Sequence, residues 1–192
     1  GSRKNDVWWS TDGITWTQAT ASAGWSGRND HTSVVYDGKM WVMGGSDGST
    51  RYNDVWWSTD GITWTRATAS AGWSARYDHT PVVYDSKMWV MGGDDGSRKN
   101  DVWRSTDGIT WTRSMASAGW SARYAHASVV YDGKMWVMGG YHSKSTNYND
   151  VWRSTDGIPV IQCTNPATTN TLLTFSTPLD YYNFPSYQWN FG

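Results

Sequence analysis

Short apolar runs separated by pairs of turn residues dominate the chain from its first residues to about residue 157. Between His31 and Trp73, Thr32-Ser33-Val34-Val35-Tyr36 predicts a first strand, and Asp37-Gly38 behind it predicts a type I′ hairpin turn. Lys39-Met40-Trp41-Val42-Met43 predicts a second strand, closed by Gly44-Gly45, a pair that supplies positive φ or lets another backbone come close. Beyond a polar loop, Asn53-Asp54-Val55-Trp56-Trp57-Ser58 predicts a third strand. Asp60-Gly61 predicts a second tight turn, and Ile62-Thr63-Trp64-Thr65-Arg66 a fourth strand.

This unit is written repeatedly. Asn-Asp-Val-Trp starts at Asn5, Asn53, Asn100 and Asn149, spacings of 48, 47 and 49 residues. A period of that length belongs to sheet repeats rather than to helical solenoids. Each unit is a small sheet with two apolar faces, which can be buried only against the next copy, so the array is the folding unit.

Composition supports strands and turns. All 17 acidic residues are Asp, and Asp favours turns where Glu favours helices. Sixteen Trp and eleven Tyr against three Phe supply large amphipathic rings for packing one sheet on another. Sixteen Lys and Arg nearly balance the acids, which argues against a nucleic acid or an anionic membrane as the main partner. No apolar run reaches the length of a membrane helix, so no membrane insertion is expected. Cys163 is the single cysteine and permits no internal disulfide.

The order Arg-x-x-His, Val-Val-Tyr-Asp-Gly-Lys-Met-Trp-Val-Met-Gly-Gly, Asn-Asp-Val-Trp and a Trp after the last turn resembles kelch repeats, with the glycine pairs at Gly44-Gly45, Gly92-Gly93 and Gly139-Gly140. The resemblance implies an all-β fold, a β-propeller of four-stranded antiparallel blades, as also found in the propeller of galactose oxidase. The hairpin Ser10-Thr11-Asp12-Gly13-Ile14-Thr15-Trp16 and its copies also resemble a shortened Asp-box, the hairpin of sialidase-like propellers. The chain then divides into a half blade (1–30), blades at 31–78, 79–125 and 126–157, and a tail at 158–192.

About three and a half blades do not close a ring, since closed propellers take four or more. The chain also opens inside a repeat, Gly1 to Trp8 matching Gly96 to Trp103. The expectation is therefore a piece of a longer polypeptide, or copies that associate to finish a ring. In the second case the strands after His126 would pair with those at Asn5 of another copy, each chain supplying three blades and displacing Asn149 to Ser154. In the tail, Pro159 stands where the other copies carry Thr15, Thr63 and Thr110, pointing to an edge or an end. Cys163 to Asn170 reads as a linker, and Tyr187-Gln188-Trp189-Asn190-Phe191-Gly192 resembles a strand of PKD domains, which are Ig-like sandwiches of extracellular proteins. The other reading of the tail is an irregular cap on the last blade.

Alternating strand direction puts the two Asp-Gly turns of each blade on one face of the array, and the loop after Gly-Gly plus the interblade link on the other. The copies differ mostly on that second, loop face, at 46–52, 94–99 and 141–148, where binding on a rigid scaffold usually sits. Candidate ligand-binding residues follow from it. Arg28, Arg76 and Arg123 would hold a carboxylate if they converged; otherwise each of them, with His31, His79 and His126, holds its own link through carbonyls and turn carboxylates. Tyr77 and Tyr124 would stack on a sugar or a peptide side chain, or pack between links. Trp25, Trp73 and Trp120 lie in Ala-Gly-Trp-Ser links and would be either exposed platforms or plugs between blades. Asp47-Gly48 and Asp94-Asp95-Gly96 lack calcium-loop spacing, and His142 and Cys163 stand too isolated for zinc.

Near-identical repeats set no acid, base or nucleophile apart from its copies. The expected function is non-catalytic: a binding or scaffold module without cofactor, taking a protein or glycan partner, at the cell surface or outside the cell. The alternative is the propeller of a secreted carbohydrate-active enzyme whose catalytic residues lie outside these residues.

Overall fold

The computed structural model describes residues 2–143 and 145–155, and the backbone of 158–163. The PKD-like segment and the rest of the tail lie outside the described residues.

A two-stranded half blade opens the array, β1 (Val7–Trp9) and β2 (Thr17–Thr20). The first full blade is β3 (Thr32–Tyr36), β4 (Lys39–Ser46), β5 (Arg51–Ser58) and β6 (Thr65–Thr68). The second is β7 (Thr80–Tyr84), β8 (Lys87–Asp94), β9 (Arg98–Ser105) and β10 (Thr112–Met115). The third begins with β11 (Ala127–Tyr131) and β12 (Lys134–Met138). A small ribbon, β13 (Tyr141–Ser143) with β14 (Thr146–Asn147), then interrupts it on the loop face, and β15 (Val151–Thr155) and β16 (Ile158–Cys163) complete it. Every pairing is antiparallel between neighbours in sequence within its sheet, so each blade is a simple meander. The fold is the incomplete propeller that the repeat implied.

Two details depart from expectation. The fourth strand begins at Thr65, not at Ile62, because Asp60 Oδ1 accepts hydrogen bonds from the amides of Ile62 and Thr63, both at 2.8 Å, and holds them in the turn. Ser58 Oγ accepts from Gly61 N across the same turn. In the third blade the backbone pairing runs past residue 157: β16 pairs with β15 from Thr155↔Ile158 to Val151↔Cys163. Pro159 is compatible with this because β16 is the outermost strand, the place in a sheet where a missing N–H is tolerated.

The first hairpin of each blade is as predicted. Asp37 and Gly38 have φ of 50° and 67°, the two left-handed residues of a type I′ turn, and even Asp85-Ser86 adopts them. The glycine pair serves both purposes foreseen for it. Gly44 and Gly45 have φ of 60° and 93°, and a Cβ on Gly45 would lie 2.7 Å from the Asn29 carbonyl. Gly45 N donates instead to the Arg76 carbonyl of the following link, 2.9 Å away, and Gly93 N does the same to Arg123.

Successive blades bury one another. Trp41, Met43 and Val55 of the first pack against Met88 and Val90 of the second, with Trp73 and Trp111 filling the gap. Val82, Trp89, Met91 and Val102 meet Met135 and Val137 of the third around Trp120. The link carrying each tryptophan is fixed by the Asn of Asn-Asp-Val-Trp. Asn53 Nδ2 reaches Ser70 Oγ and the carbonyls of Ala71 and Trp73, and Asn5 and Asn100 repeat the set. Asn53→Ala should therefore cost roughly 1–3 kcal/mol, the penalty for orphaning inward carbonyls, read as a lowered midpoint in urea denaturation.

Candidate functional site

The three link arginines are interior structural groups. Arg28, Arg76 and Arg123 are all buried, and each forms a two-pronged contact with the Asp of Asn-Asp-Val-Trp, within or directly before the third strand of its blade. Arg76 Nη1 and Nη2 donate to Asp101 Oδ1 and Oδ2 at 2.6 and 2.9 Å, while Nη1 also reaches the Gly92 carbonyl. Arg28 makes the same contacts with Asp54 and Gly44, and Arg123 with Asp150 and Gly139. The partner is thus the aspartate of Asn-Asp-Val-Trp and not a turn carboxylate. The guanidinium groups are separated by whole blades and sealed, so of the two readings open from the sequence it is the link-holding one that the geometry fits, and they do not converge on a ligand carboxylate. Their faces are used as well: Arg28 lies 4.2 Å from the Tyr52 ring centroid and Arg123 4.3 Å from that of Tyr148.

The histidines join blades. His79 Nε2 is 3.0 Å from Thr32 Oγ1 of the preceding blade, and His126 Nε2 is 2.8 Å from Thr80 Oγ1. Both are buried, whereas His31, at the open end, is exposed. Burial, reinforced by the neighbouring Arg76 and Arg123 charges, lowers both His79 and His126 to about 3, so they are neutral in the folded protein. The link tryptophans are plugs: Trp25, Trp73 and Trp120 are 5%, 1% and 1% exposed. Trp73 meets Trp111 edge-on at 6.0 Å, and Trp25 meets Trp64 at 4.5 Å. None of the three is a platform for a ligand, since no face remains open.

What is open lies around Tyr77 and Tyr124, on the loop face. Both are half-buried, and each carries an arginine from the third strand of the preceding blade, Arg51 at 5.4 Å from the Tyr77 centroid and Arg98 at 4.9 Å from that of Tyr124. Arg3 repeats the reach at the half blade, donating to Asn29 Oδ1 at 2.9 Å, where Asn29 occupies the tyrosine position. Arg3, Asn29, Asp30, Ser46, Arg51 and Tyr77 line a polar cleft of about 400 Å³. Asp94 lies buried between Arg98 at 3.0 Å and Arg51 at 3.9 Å, holding the arginine row in place. Beside it, Asp78 is pushed up to about 6 by burial and by the charges of Asp30 and Asp94. Its amide donates to the Asp30 carbonyl, and Ala125 N to its own, a backbone ladder joining successive links.

The arginines at 51 and 98 were not among the candidates from sequence, although Arg3, Arg51 and Arg98 all stand two residues before the Asn of Asn-Asp-Val-Trp. The signal was that periodicity, weakened by Asn147 in the fourth position. Asp47 uses its carboxylate on its own loop, accepting from Ser49 N, Thr50 N and Tyr52 Oη, which lowers it to about 2.

A family model described as Kelch motif matches residues 27–57, 75–104 and 122–153. Each match runs from just before the link arginine to the third strand, and so contains the whole Arg–Asp contact of its blade. No curated protein matches the chain.

Two outcomes are expected. Asp101→Ala should destabilise by about 3–5 kcal/mol by stranding a buried guanidinium, whereas Lys39→Ala, which breaks an exposed pair with Asp37, should cost under about 1 kcal/mol; chemical denaturation measures both. Because His79 and His126 have folded pKa values far below the unfolded 6.5, the unfolded chain binds protons first as pH falls. Their contribution is complete above about pH 6.5 and is lost progressively toward pH 3, with a slope near 1.4 kcal/mol per pH unit for each histidine. His79→Gln should flatten that slope in denaturation midpoints taken across the range.

Proposed function

We propose that this chain, a kelch-repeat array folded as propeller blades, is a non-catalytic module that binds a protein partner on its loop face through the Arg51–Tyr77 and Arg98–Tyr124 pairs. Kelch propellers commonly serve protein binding. The observation that carries the reading is the arginine–tyrosine row beside the 400 Å³ cleft. Tyr and Arg are the residue types that concentrate binding energy at protein interfaces. These are preordered by stacking and by Asp94, so little side-chain freedom remains to be lost on association.

A peptide ligand is favoured over a glycan. Sugar binding by stacking needs open ring faces, but one face of each tyrosine lies under a guanidinium and the link tryptophans are interior. An extracellular setting rests on the PKD-like sequence of the tail, and the enzyme alternative on residues outside this chain.

Peptides selected from a random display library against the wild-type chain provide the test. Arg51→Ala combined with Tyr77→Ala should weaken them at least about tenfold, the loss of roughly 1.4 kcal/mol or more expected of an interface anchor, with an unchanged thermal midpoint. Ile62→Ala with Ile109→Ala, on the opposite turn face, should leave affinity unchanged. Peptides indifferent to the first pair, or lost with the second, would sink the loop-face assignment.

A further inference from the structure

We propose that the second blade carries an anion site on the turn face, built around Lys87 and Arg104, that binds one tetrahedral oxyanion, a phosphate or sulfate group. It lies on the face opposite the loop-face cleft and uses none of its residues.

The site begins with a departure from the repeat. The residue after Asn-Asp-Val-Trp is Trp9 and Trp57 in the first two copies, but Arg104 and Arg153 in the later two. In the first blade, which keeps the tryptophan, Lys39 Nζ lies 5.6 Å from the Trp57 ring centroid. In the second blade the same lysine position, Lys87, meets a second cation instead. Trp89 faces Arg104 across the β8–β9 ladder, so Lys87, two residues before Trp89, is the diagonal neighbour of Arg104 on one face of the sheet. Thr112 of β10 faces Arg104 from the other side. Three neighbouring strands thereby set Lys87, Arg104 and Thr112 side by side at their turn ends. With Ser105, Thr106 and Thr110 they line an open pocket of about 250 Å³.

The carboxylates nearby are already engaged. Lys87 Nζ is 2.6 Å from Asp85 Oδ2. That hydrogen bond and the Lys87 charge hold Asp85 below the usual carboxylate range, and the Arg104 charge adds to the effect. One carboxylate thus answers two cations. Asp107 is turned into its own hairpin, where Oδ1 accepts from the amides of Ile109 and Thr110, both at 2.8 Å, and from Ser105 Oγ at 2.9 Å. Among the described residues the exposed Arg104 guanidinium has no hydrogen bond and no ion pair, and it lies 5.9 Å from the Trp89 ring centroid. Its fork of donors is left to solvent and to a ligand.

The donor set fits an anion with more than two oxygens. A carboxylate is satisfied by the two prongs of one guanidinium, whereas here an ammonium and the threonines at 106 and 112 border the same space. The volume exceeds that of a bare ion and leaves room for the first atoms of a group esterified to it. One pocket takes one anion, and a chain with 16 Lys and Arg against 17 Asp has no cationic excess with which to track a polyanion.

Amide chemical shifts of the whole chain, followed while inorganic phosphate, inorganic sulfate or O-phosphothreonine is added at constant ionic strength, test the site. Saturable shifts centred on Thr106, Thr110 and Thr112 are expected. Arg104→Trp, which installs the residue of the first blade, and Arg104→Ala should each weaken binding at least about tenfold with an unchanged thermal midpoint. Lys39→Ala, at the corresponding lysine of the first blade, should leave affinity unchanged. Tighter binding of O-phosphothreonine than of inorganic phosphate supports a site for an esterified group, and equal binding supports one for the free ion. Shifts that never saturate, that centre elsewhere, or that keep the same affinity in both Arg104 variants would overturn the proposal.

Discussion

A four-stranded blade in this protein has no outside. Val34 and Met43 look toward the following blade and Val83 and Val90 toward the preceding one, so burial on either face requires a neighbour. Everything else in the fold serves that requirement. The type I′ turns keep the strands short and twisted, the link tryptophans fill the wedge left where two twisted sheets diverge, and the glycine pairs let the next link approach within a hydrogen bond of the second strand.

Nonpolar burial alone would allow blades to slide, and the polar groups fix where they stop. The Arg–Asp contact fastens each link across the loop end of its own blade, while the histidine reaches back to the threonine of the blade before. A buried ion pair adds little net stability against an apolar substitute, because desolvation of both ions offsets their attraction. Its value here lies in geometry: a guanidinium with two carboxylate oxygens and a glycine carbonyl in reach has one satisfactory position. The same saturation is why these arginines have nothing left for a ligand. The arginines at the rim, by contrast, lean on tyrosines and keep part of their surface in water.

Much of this was legible from the repeat. The strand order and the hairpin turns follow from β-branched runs and Asp-Gly pairs, whereas for the link tryptophans the sequence left platform and plug both open. What the sequence concealed was pairing over distance. Nothing local says that Arg76 meets Asp101, 25 residues away, instead of a nearer turn carboxylate, or that Arg51 lies over Tyr77 across a blade boundary. The first spans one repeat from its link to its third strand and the second joins adjacent repeats, so neither is visible before the strands are in place. The fourth strand was misplaced for a related reason: Ile62 and Trp64 look like strand residues, but the Asp60 carboxylate captures two amides that a strand would need.

Near-identity of the blades also has an energetic consequence. β1 and β15 carry almost the same residues, so what tells the two strands apart is what lies behind each of them. Behind β1 stand Trp16 and the buried Trp25; behind β15, the chain carries Pro159 and Val160 at the corresponding positions. Specificity in a repeat array therefore resides in its least typical copy, because only departures from the repeat can tell one register from another.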